Sequence, residues 1–350
     1  MKIWELFLIG FCALPFIGQA QNDKSSMGPT SPSADGSRDF RITSSVRVPL
    51  RGALFGRAKC DGEEDIYLRL IDAEASEKHQ DYLTLPIRKL RPDGTIAGSF
   101  SVTGVSPRLG LMDFFVTHNG GIFGVGHGDP PVYVVSFSEG SSPPKVVRLE
   151  TDHFVPYQIA VFKTGEFLVS GIHGPHNRTP YTAVFDASGK PIKTIYEPED
   201  EDARKRAEAG EPGFRPDYMV FGNLFVVRGD VVLGSDGNAY LLRAGSTALI
   251  YVISSTGQVL RKLSVEAPSS GLTAERLQSL SGRLAIAFLQ KGMNQGVIQV
   301  VDYQGRSIAT IPNEDPRTYP GHMACFGSQG FAFLQTDDDK GLHINRTLPQ

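Results

Sequence analysis

The sequence has little of several features that would narrow the range of functions. One Trp and three Cys occur among 350 residues, and 35 Lys plus Arg stand against 38 Asp plus Glu, a net charge of -3. This near balance of charge argues against nucleic acid as the main partner and against a polybasic membrane anchor. After the N-terminal segment, no apolar run approaches the roughly 20 residues that a transmembrane helix needs. We therefore expect no integral membrane segment.

Sequence motifs of catalysis are also scarce. The chain contains no G-x-S-x-G, H-E-x-x-H, P-loop or C-x-x-C motif, so nothing indicates a nucleophile elbow, a zinc-protease helix, a nucleotide loop or a dithiol site. The run Asp337-Asp338-Asp339 resembles a fragment of a calcium loop, but the other ligands of an EF-hand are missing. We expect neither a cofactor nor a bound metal.

The first 20 residues have the composition of a signal peptide. Lys2 precedes an apolar stretch, and Gly18-Gln19-Ala20 places small residues where a signal peptidase reads the chain. We expect cleavage after Ala20 and a periplasmic or secreted protein. Residues 21–38 are polar and rich in Ser, Gly and Pro, which predicts a flexible leader.

From residue 39 onward, short runs of strand-forming residues alternate with turn dipeptides, as is typical of all-β proteins. One series of glycine-marked turns recurs at spacings of 46, 49, 68 and 48 residues, and a turn of a second series precedes each one. The long interval contains a charged insertion at 198–217, whose charge pattern predicts a short helix. Each repeat of about 47 residues predicts a four-stranded antiparallel meander, A to D, with tight A-to-B and C-to-D hairpins. The marker glycines are Gly62, Gly120, Gly165, Gly237, Gly282 and Gly330 for A-to-B, and Gly94, Gly140, Gly189, Gly257 and Gly305 for C-to-D.

Four-stranded sheets repeated at this interval are the sequence form of a β-propeller. There are six A-to-B turns and five C-to-D turns, and residues 39–50 form an unpaired strand at the other end of the chain. We predict an all-β, six-bladed β-propeller over residues 39–350, with the N-terminal strand completing the last blade and removing exposed edges. Seven blades are the alternative.

The fourth repeat carries a resemblance to known propellers. Asp236 to Leu242, Ile250-Tyr251-Val252 and Ser255 to Val259 resemble the blade pattern of NHL-like and TolB-like six-bladed propellers, in particular functionally uncharacterised exported bacterial members. The similarity covers about residues 40–350 and implies a fold more than a function, because that superfamily includes binding scaffolds, lactonases and other hydrolases. Its calcium-binding lactonases place acidic and Asn ligands around the channel, and this sequence does not match those positions one by one.

Cys60 and Cys325 are the cysteines left after removal of the signal peptide. In an oxidising compartment, and in two blades that adjoin where the ring closes, they are candidates for a disulfide. Two buried thiols too far apart to bond are the alternative.

Candidate binding residues lie in the variable connections. In a propeller of this kind, the B-to-C loops and D-to-A connections share the face opposite the tight hairpins, and loops free of core packing often carry binding residues. We predict ligand binding on this face. His127 and His173 recur at comparable places in neighbouring blades, where a shared site for a metal or an anion is the sharper hypothesis. The candidate residues are His127, Asp129, His173, His176, Arg178 and His322.

Two function classes remain open. We favour a non-enzymatic, monomeric scaffold that binds a protein, peptide or glycan. The alternative is a hydrolase or lactonase with its site at the channel mouth on the same face.

Overall fold

The computed structural model describes most of the chain from Phe40 onward. The described residues are 40–72, 82–103, 105, 109–128, 131–138, 143–151, 154–173, 179–195, 230–290, 292–313, 315–328 and 330–349. The predicted signal peptide (1–20), leader (21–38) and charged insertion (198–217) lie outside them. Within the described residues, no helix is long and apolar enough to cross a membrane.

The described strands form six antiparallel sheets, each one blade of the propeller. Strand β1 (Phe40–Leu54) precedes blade 1, which contains β2 (Lys59–Cys60), β3 (Ile66–Leu68), β4 (Leu70–Asp72), β5 (Ile87–Leu90) and β6 (Ile96–Phe100). Blade 2 contains β7 (Gly110–Val116), β8 (Ile122–His127), β9 (Val132–Phe137) and β10 (Lys145–Arg148). Blade 3 contains β11 (Phe154–Val161), β12 (Phe167–His173), β13 (Thr179–Phe185) and β14 (Pro191–Thr194).

The second half of the ring repeats this arrangement. Blade 4 contains β15 (Val231–Leu233), β16 (Ala239–Arg243), β17 (Thr247–Ile253) and β18 (Val259–Glu266). Blade 5 contains β19 (Leu272–Leu280), β20 (Arg283–Gln290), β21 (Gly296–Asp302) and β22 (Ser307–Pro312). Blade 6 contains β23 (Met323–Gly327), β24 (Gly330–Thr336), β25 (Gly341–Pro349) and β1. Short 3-10 helices span Tyr82–Thr84, Pro316–Thr318 and Pro320–His322.

The innermost strands contact one another in cyclic order, β2, β7, β11, β15, β19, β23 and again β2. The prediction of six blades is therefore confirmed, and the seven-bladed alternative is wrong. The predicted hairpins whose turns are described are also present. Gly237 shows why glycine marks them, because its φ of 83° lies in the left-handed region that other residues avoid.

The N-terminal strand closes the ring, as predicted. β1 pairs with β25, with Val46 opposite Ile344, and so supplies the outermost strand of blade 6. The strand is longer than the predicted segment 39–50: after a register shift it continues to Leu54 and pairs with β4 of blade 1. One strand thus spans the junction between the last blade and the first.

The core consists of apolar layers between adjacent blades. In β16, Ala239 and Leu241 pack toward blade 3, whereas Tyr240 and Leu242 pack toward blade 5. Successive side chains of a strand point to opposite faces, so an inner strand packed on both sides must be apolar throughout. This double burial explains why β16 is apolar without interruption from Ala239 to Leu242.

A disulfide joins Cys60 of β2 to Cys325 of β23. The two residues are 265 positions apart in sequence, and their Cα atoms are 5.4 Å apart. The predicted bond is confirmed, and it links blade 1 to blade 6 beside the channel.

Candidate functional site

Five charged side chains converge at the centre of the ring, and we call them the central charge cluster. Arg57 and Lys59 come from blade 1, Asp113 from blade 2, Asp230 from blade 4 and Arg276 from blade 5. Blades 1 and 4 lie opposite each other in a six-bladed ring, so the ion pair between Lys59 and Asp230 spans the channel.

β-bulges in the innermost strands help to place these side chains. β7, β11, β19 and β23 each have a register shift against the neighbouring strand, and the residues that follow the shifts are Asp113, Gln158, Arg276 and Cys325. A bulge adds one unpaired residue and re-aims the side chains beside it. The recurring bulges therefore place equivalent positions of four blades at one level of the ring.

Asp230 is the hub of the central charge cluster. Its Oδ1 accepts a hydrogen bond from Lys59 Nζ at 2.8 Å and lies 3.5 Å from Arg57 Nη1. Its Oδ2 accepts a hydrogen bond from Arg276 Nε at 3.3 Å. The backbone N–H groups of Val231 and Leu277 also donate to this carboxylate, at 3.1 and 3.5 Å. Three cations and two amides thus surround one buried carboxylate.

Arg276 connects three blades around this hub. Its Nη2 donates to the carbonyl oxygens of Met323 and Ala58, at 2.9 and 3.2 Å. Its Nη1 donates to the carbonyl of Gly321 at 3.1 Å. Because Gly321 belongs to the D-to-A connection of blade 6, the cluster reaches the face on which we predicted binding.

The two carboxylates of the cluster differ in their ionisation. Burial by itself would raise the pKa of Asp230, but Lys59, Arg57 and Arg276 outweigh it and hold that pKa well below its usual range. Burial raises the pKa of Asp113; Lys59 opposes this rise and the charge of Asp230 adds to it. Asp113 Oδ2 accepts a hydrogen bond from the Ile159 N–H of blade 3 at 3.3 Å, and no described cation lies within ion-pair distance of it.

Among the described candidate residues, His322 adjoins the cluster in the chain. It is flanked by Gly321 and Met323, whose carbonyls bind Arg276, and its ring stands edge-on to Tyr319 at 5.1 Å. His322 is exposed as a residue. Desolvation by the surrounding protein, with a further contribution from Arg276, lowers its pKa. His322 is therefore a neutral donor or acceptor at the channel mouth.

The other predicted residues are only partly described. His127 and His173 end β8 and β12, the second strands of blades 2 and 3, so the backbone places them at comparable positions. Asp129, His176 and Arg178 lie outside the described residues, and the side chain of His173 is not described either. The shared His site stays a prediction.

Sequence reasoning missed the members of the central charge cluster because it searched the loops. The sequence did contain a usable pattern: a charged or polar residue occurs in the first strand of a repeat, seven positions before the glycine of the A-to-B hairpin. Asp113, Gln158 and Asp230 follow this pattern. Two other bulged strands, β19 and β23, have shorter hairpins, so the residue after the bulge is fewer than seven positions from the hairpin glycine. Arg276 lies six positions before Gly282, and no sequence pattern aligns it with the others.

The cluster does not fit a divalent metal. The described residues contain no group of three or more His, Cys, Asp or Glu that could hold one. The carboxylate at the centre, Asp230, is already bound by three cationic side chains, which would repel a metal ion. A calcium centre of the lactonase kind therefore has no matching donor set at this level of the channel.

A separate groove of about 940 Å³ lies between the outer strand of blade 2 and blade 3. Lys145 and Arg148 of β10, Glu150 and Tyr181 contribute to its lining. It also borders Ala187 and Ser188 in the C-to-D turn of blade 3, on the hairpin face. This groove is therefore distinct from the central charge cluster.

Comparisons with known proteins give similarities of fold alone. No protein-family model matches the chain, and no curated protein matches it. Among solved structures, it is similar to a gluconolactonase from Xanthomonas campestris, with 11% identity, a TM-score of 0.47 and coverage of 93% of this chain and 99% of that one. An inactive variant of virginiamycin B lyase from Staphylococcus aureus has 10% identity and a TM-score of 0.44, with coverage of 89% and 100%.

A protein of unknown function from Bacteroides caccae is similar to the same extent, with 10% identity, a TM-score of 0.47 and coverage of 74% and 81%. At these identities and TM-scores, the matches assign neither a family nor an activity to this chain.

Proposed function

We propose that this protein is an exported, NHL-like or TolB-like propeller that binds a protein, peptide or glycan without catalysing a reaction. The ligand binds on the face of the B-to-C loops and D-to-A connections, which carries His127 and His322 and on which the other candidate residues are predicted to lie. Export is supported by the signal-like residues 1–20 and by the disulfide between Cys60 and Cys325.

The observation that carries this proposal is the engagement of Asp230. A general base needs a pKa near the working pH and a free lone pair toward the substrate. Asp230 has a strongly lowered pKa, and both of its oxygens are already bound by cations and backbone amides. The centre of the channel thus links blades 1, 4 and 5 through Asp230, and this favours binding over catalysis.

The position of the central charge cluster along the strands supports binding on the face of the B-to-C loops and D-to-A connections. Arg57 precedes β2 and Asp230 precedes β15, so both lie where D-to-A connections lead into the innermost strands. Arg276 contacts the connection before β23. A ligand that approaches this face meets partly exposed polar groups.

A hydrolase remains the second candidate, because of Asp113. This carboxyl lies in the channel, and burial raises its pKa, as a general acid or base requires. In this role, Asp113 would transfer the proton at the channel mouth.

Hydrolysis assays separate the two candidates. The chain without residues 1–20 is assayed with δ-gluconolactone and with p-nitrophenyl acetate, with and without added Ca²⁺, beside Asp113→Asn. A scaffold gives rates equal to those of buffer in both proteins. Hydrolysis that Asp113→Asn removes, while the variant keeps its melting temperature, would overturn the scaffold proposal.

Mapping of a bound ligand tests the face. The protein is screened against glycan and peptide arrays, and the best binder is mapped by hydrogen exchange. We expect protection in the B-to-C loops and D-to-A connections. Protection confined to the glycine-marked hairpins would contradict the assignment of the face.

A further inference from the structure

We propose that the channel mouth binds the carboxylate of an organic ligand through Arg57. This inference rests on the proposed function and specifies the ligand chemistry of the same face. It depends on three features of the described residues: charge, the free donors of Arg57, and an aromatic pair that includes Phe55, two residues before Arg57 in the chain.

The central charge cluster has an excess of positive charge. Arg57, Lys59 and Arg276 all form ion pairs with one carboxylate, Asp230. Even with Asp113 ionised, three cations face two carboxylates. A buried charge is costly without a counter-charge, and the described residues leave one positive charge of the cluster without one. An anion that enters the channel mouth would therefore be attracted to it.

Arg57 is the cation that a ligand can reach. Its side chain is 24% exposed, whereas those of Lys59 and Arg276 are 7% and 8% exposed. Its contact with Asp230 is long, 3.5 Å, and the Asp230 Oδ1 that it faces already binds Lys59 at 2.8 Å. Among the described residues, Arg57 makes no hydrogen bond, so its planar set of N–H donors is open to a carboxylate, which it can bind bidentately.

An aromatic surface lies next to Arg57 in the chain. Phe55 stacks on Tyr82 with ring centroids 5.7 Å apart, and the Arg69 guanidinium lies 4.8 Å above the Phe55 ring. Tyr82 is 43% exposed. Phe55 is separated from Arg57 by Gly56 alone, whose φ of 73° turns the chain before β2. The exposed Tyr82 ring, held by Phe55, is an apolar surface in the segment that leads to Arg57, and such a surface favours an organic anion over an inorganic one.

Small probes test the assignment. Benzoate supplies a carboxylate on a ring, benzamide is its uncharged counterpart, and inorganic phosphate is an anion without an apolar body. Binding of each to the chain without residues 1–20 is measured by saturation-transfer NMR at constant ionic strength. The variants are Arg57→Gln and, as a control with the same change of charge, Arg306→Gln, whose side chain is 78% exposed beside the C-to-D turn of blade 5.

We expect benzoate to bind the wild type and Arg306→Gln equally, and Arg57→Gln at least about tenfold more weakly, because a hydrogen-bonded charge pair is lost. Benzamide should bind none of the three proteins measurably. Arg57→Gln should keep the wild-type melting temperature, because Lys59 and Arg276 still hold Asp230.

Three results would overturn the inference: no binding of benzoate to the wild type, equal binding to Arg57→Gln, or phosphate binding as tight as that of benzoate. These results leave the scaffold proposal intact, because another ligand can bind elsewhere on the face. Hydrolysis that depends on Asp113 has the opposite effect: it overturns the scaffold and leaves the carboxylate site in place.

Discussion

At the scale of single residues, Asp230 and Asp113 show how position decides the role of a carboxylate. Both lie in the channel, and both accept a hydrogen bond from the next blade, from the N–H groups of Leu277 and Ile159. Asp230 is enclosed by cations, whereas Asp113 is desolvated without an ion-pair partner among the described residues. The same substitution should therefore affect the two positions differently.

Asp230→Asn should destabilise the fold, whereas Asp113→Asn should not. Removing one partner of a buried ion pair leaves the other charge uncompensated, which costs about 3–5 kcal/mol. Asn at position 113 still offers an oxygen to Ile159 and avoids a buried negative charge, so we expect little change or a gain. Free energies of unfolding from urea titrations at pH 7 provide the comparison. Equal losses in the two variants would contradict the assigned roles.

The two carboxylates also predict opposite pH dependence. The folded pKa of Asp230 lies below the ordinary value of 3.8, so its stabilisation is present above about pH 4 and is lost as the pH falls further. The stability difference between wild type and Asp230→Asn should narrow there, by up to about 1.4 kcal/mol per pH unit. The folded pKa of Asp113 is raised, so the contribution of Asp113 to stability is lost as the pH rises through that value. The free energy of unfolding of Asp113→Asn should therefore increase relative to that of the wild type as the pH rises. Urea titrations at a series of pH values test both trends.

The residue scale is where the sequence predicted least. His322 lies in the connection before β23, as predicted, because it precedes a strand that the repeat pattern locates, whereas its role in binding stays a prediction. The cluster residues were missed because a charged residue in a strand, such as Arg276, reveals its direction only when the bulge before it is known. Bulges depend on pairing with the neighbouring strand, and a single sequence does not contain that register.

At the scale of elements, β1 has two partners, β25 of blade 6 and β4 of blade 1. The sequence predicted the first pairing because blade 6 lacked a fourth strand. The second was not predictable, because the Leu70–Asp72 strand is a short continuation of the second strand of blade 1 beyond Arg69. Val48, 2% exposed, packs in the apolar layer between these blades.

Removal of β1 should open the ring. A chain that begins at Gly52 loses the pairing with β25 and exposes the edge of that strand, so we expect aggregation or loss of cooperative unfolding. A chain that begins at Ser37 keeps β1 and should melt like the full chain. Size-exclusion chromatography and thermal unfolding distinguish them. A folded monomer that begins at Gly52 would show that β1 is dispensable.

At the scale of the whole molecule, the ring depends on its junction between blades 6 and 1. β1 crosses this junction, the disulfide from Cys60 to Cys325 joins it near the channel, and Glu64 binds Arg346 and Ser328 across it. Glu64 has a φ of 63°, a strained value for a residue other than Gly. The overall architecture could be predicted from the length of the sequence repeat. A repeat of that length forms one four-stranded blade, and every blade must bury both faces against its neighbours.

The disulfide should contribute to stability less than its loop length suggests. For a loop of 265 residues, the chain-entropy model gives on the order of 5 kcal/mol as an upper figure. β1 already holds the two ends of the ring together in the folded state, and measured losses are typically about 2–4 kcal/mol. We expect Cys60→Ser/Cys325→Ser to lose that amount in urea titrations, and reductant to bring the wild type to the same value without changing the double variant. Non-reduced, unfolded wild-type protein should show no alkylatable thiol at either position. Two modified thiols would disprove the bond, whereas an intact bond with no effect on stability would mean that β1 alone closes the ring.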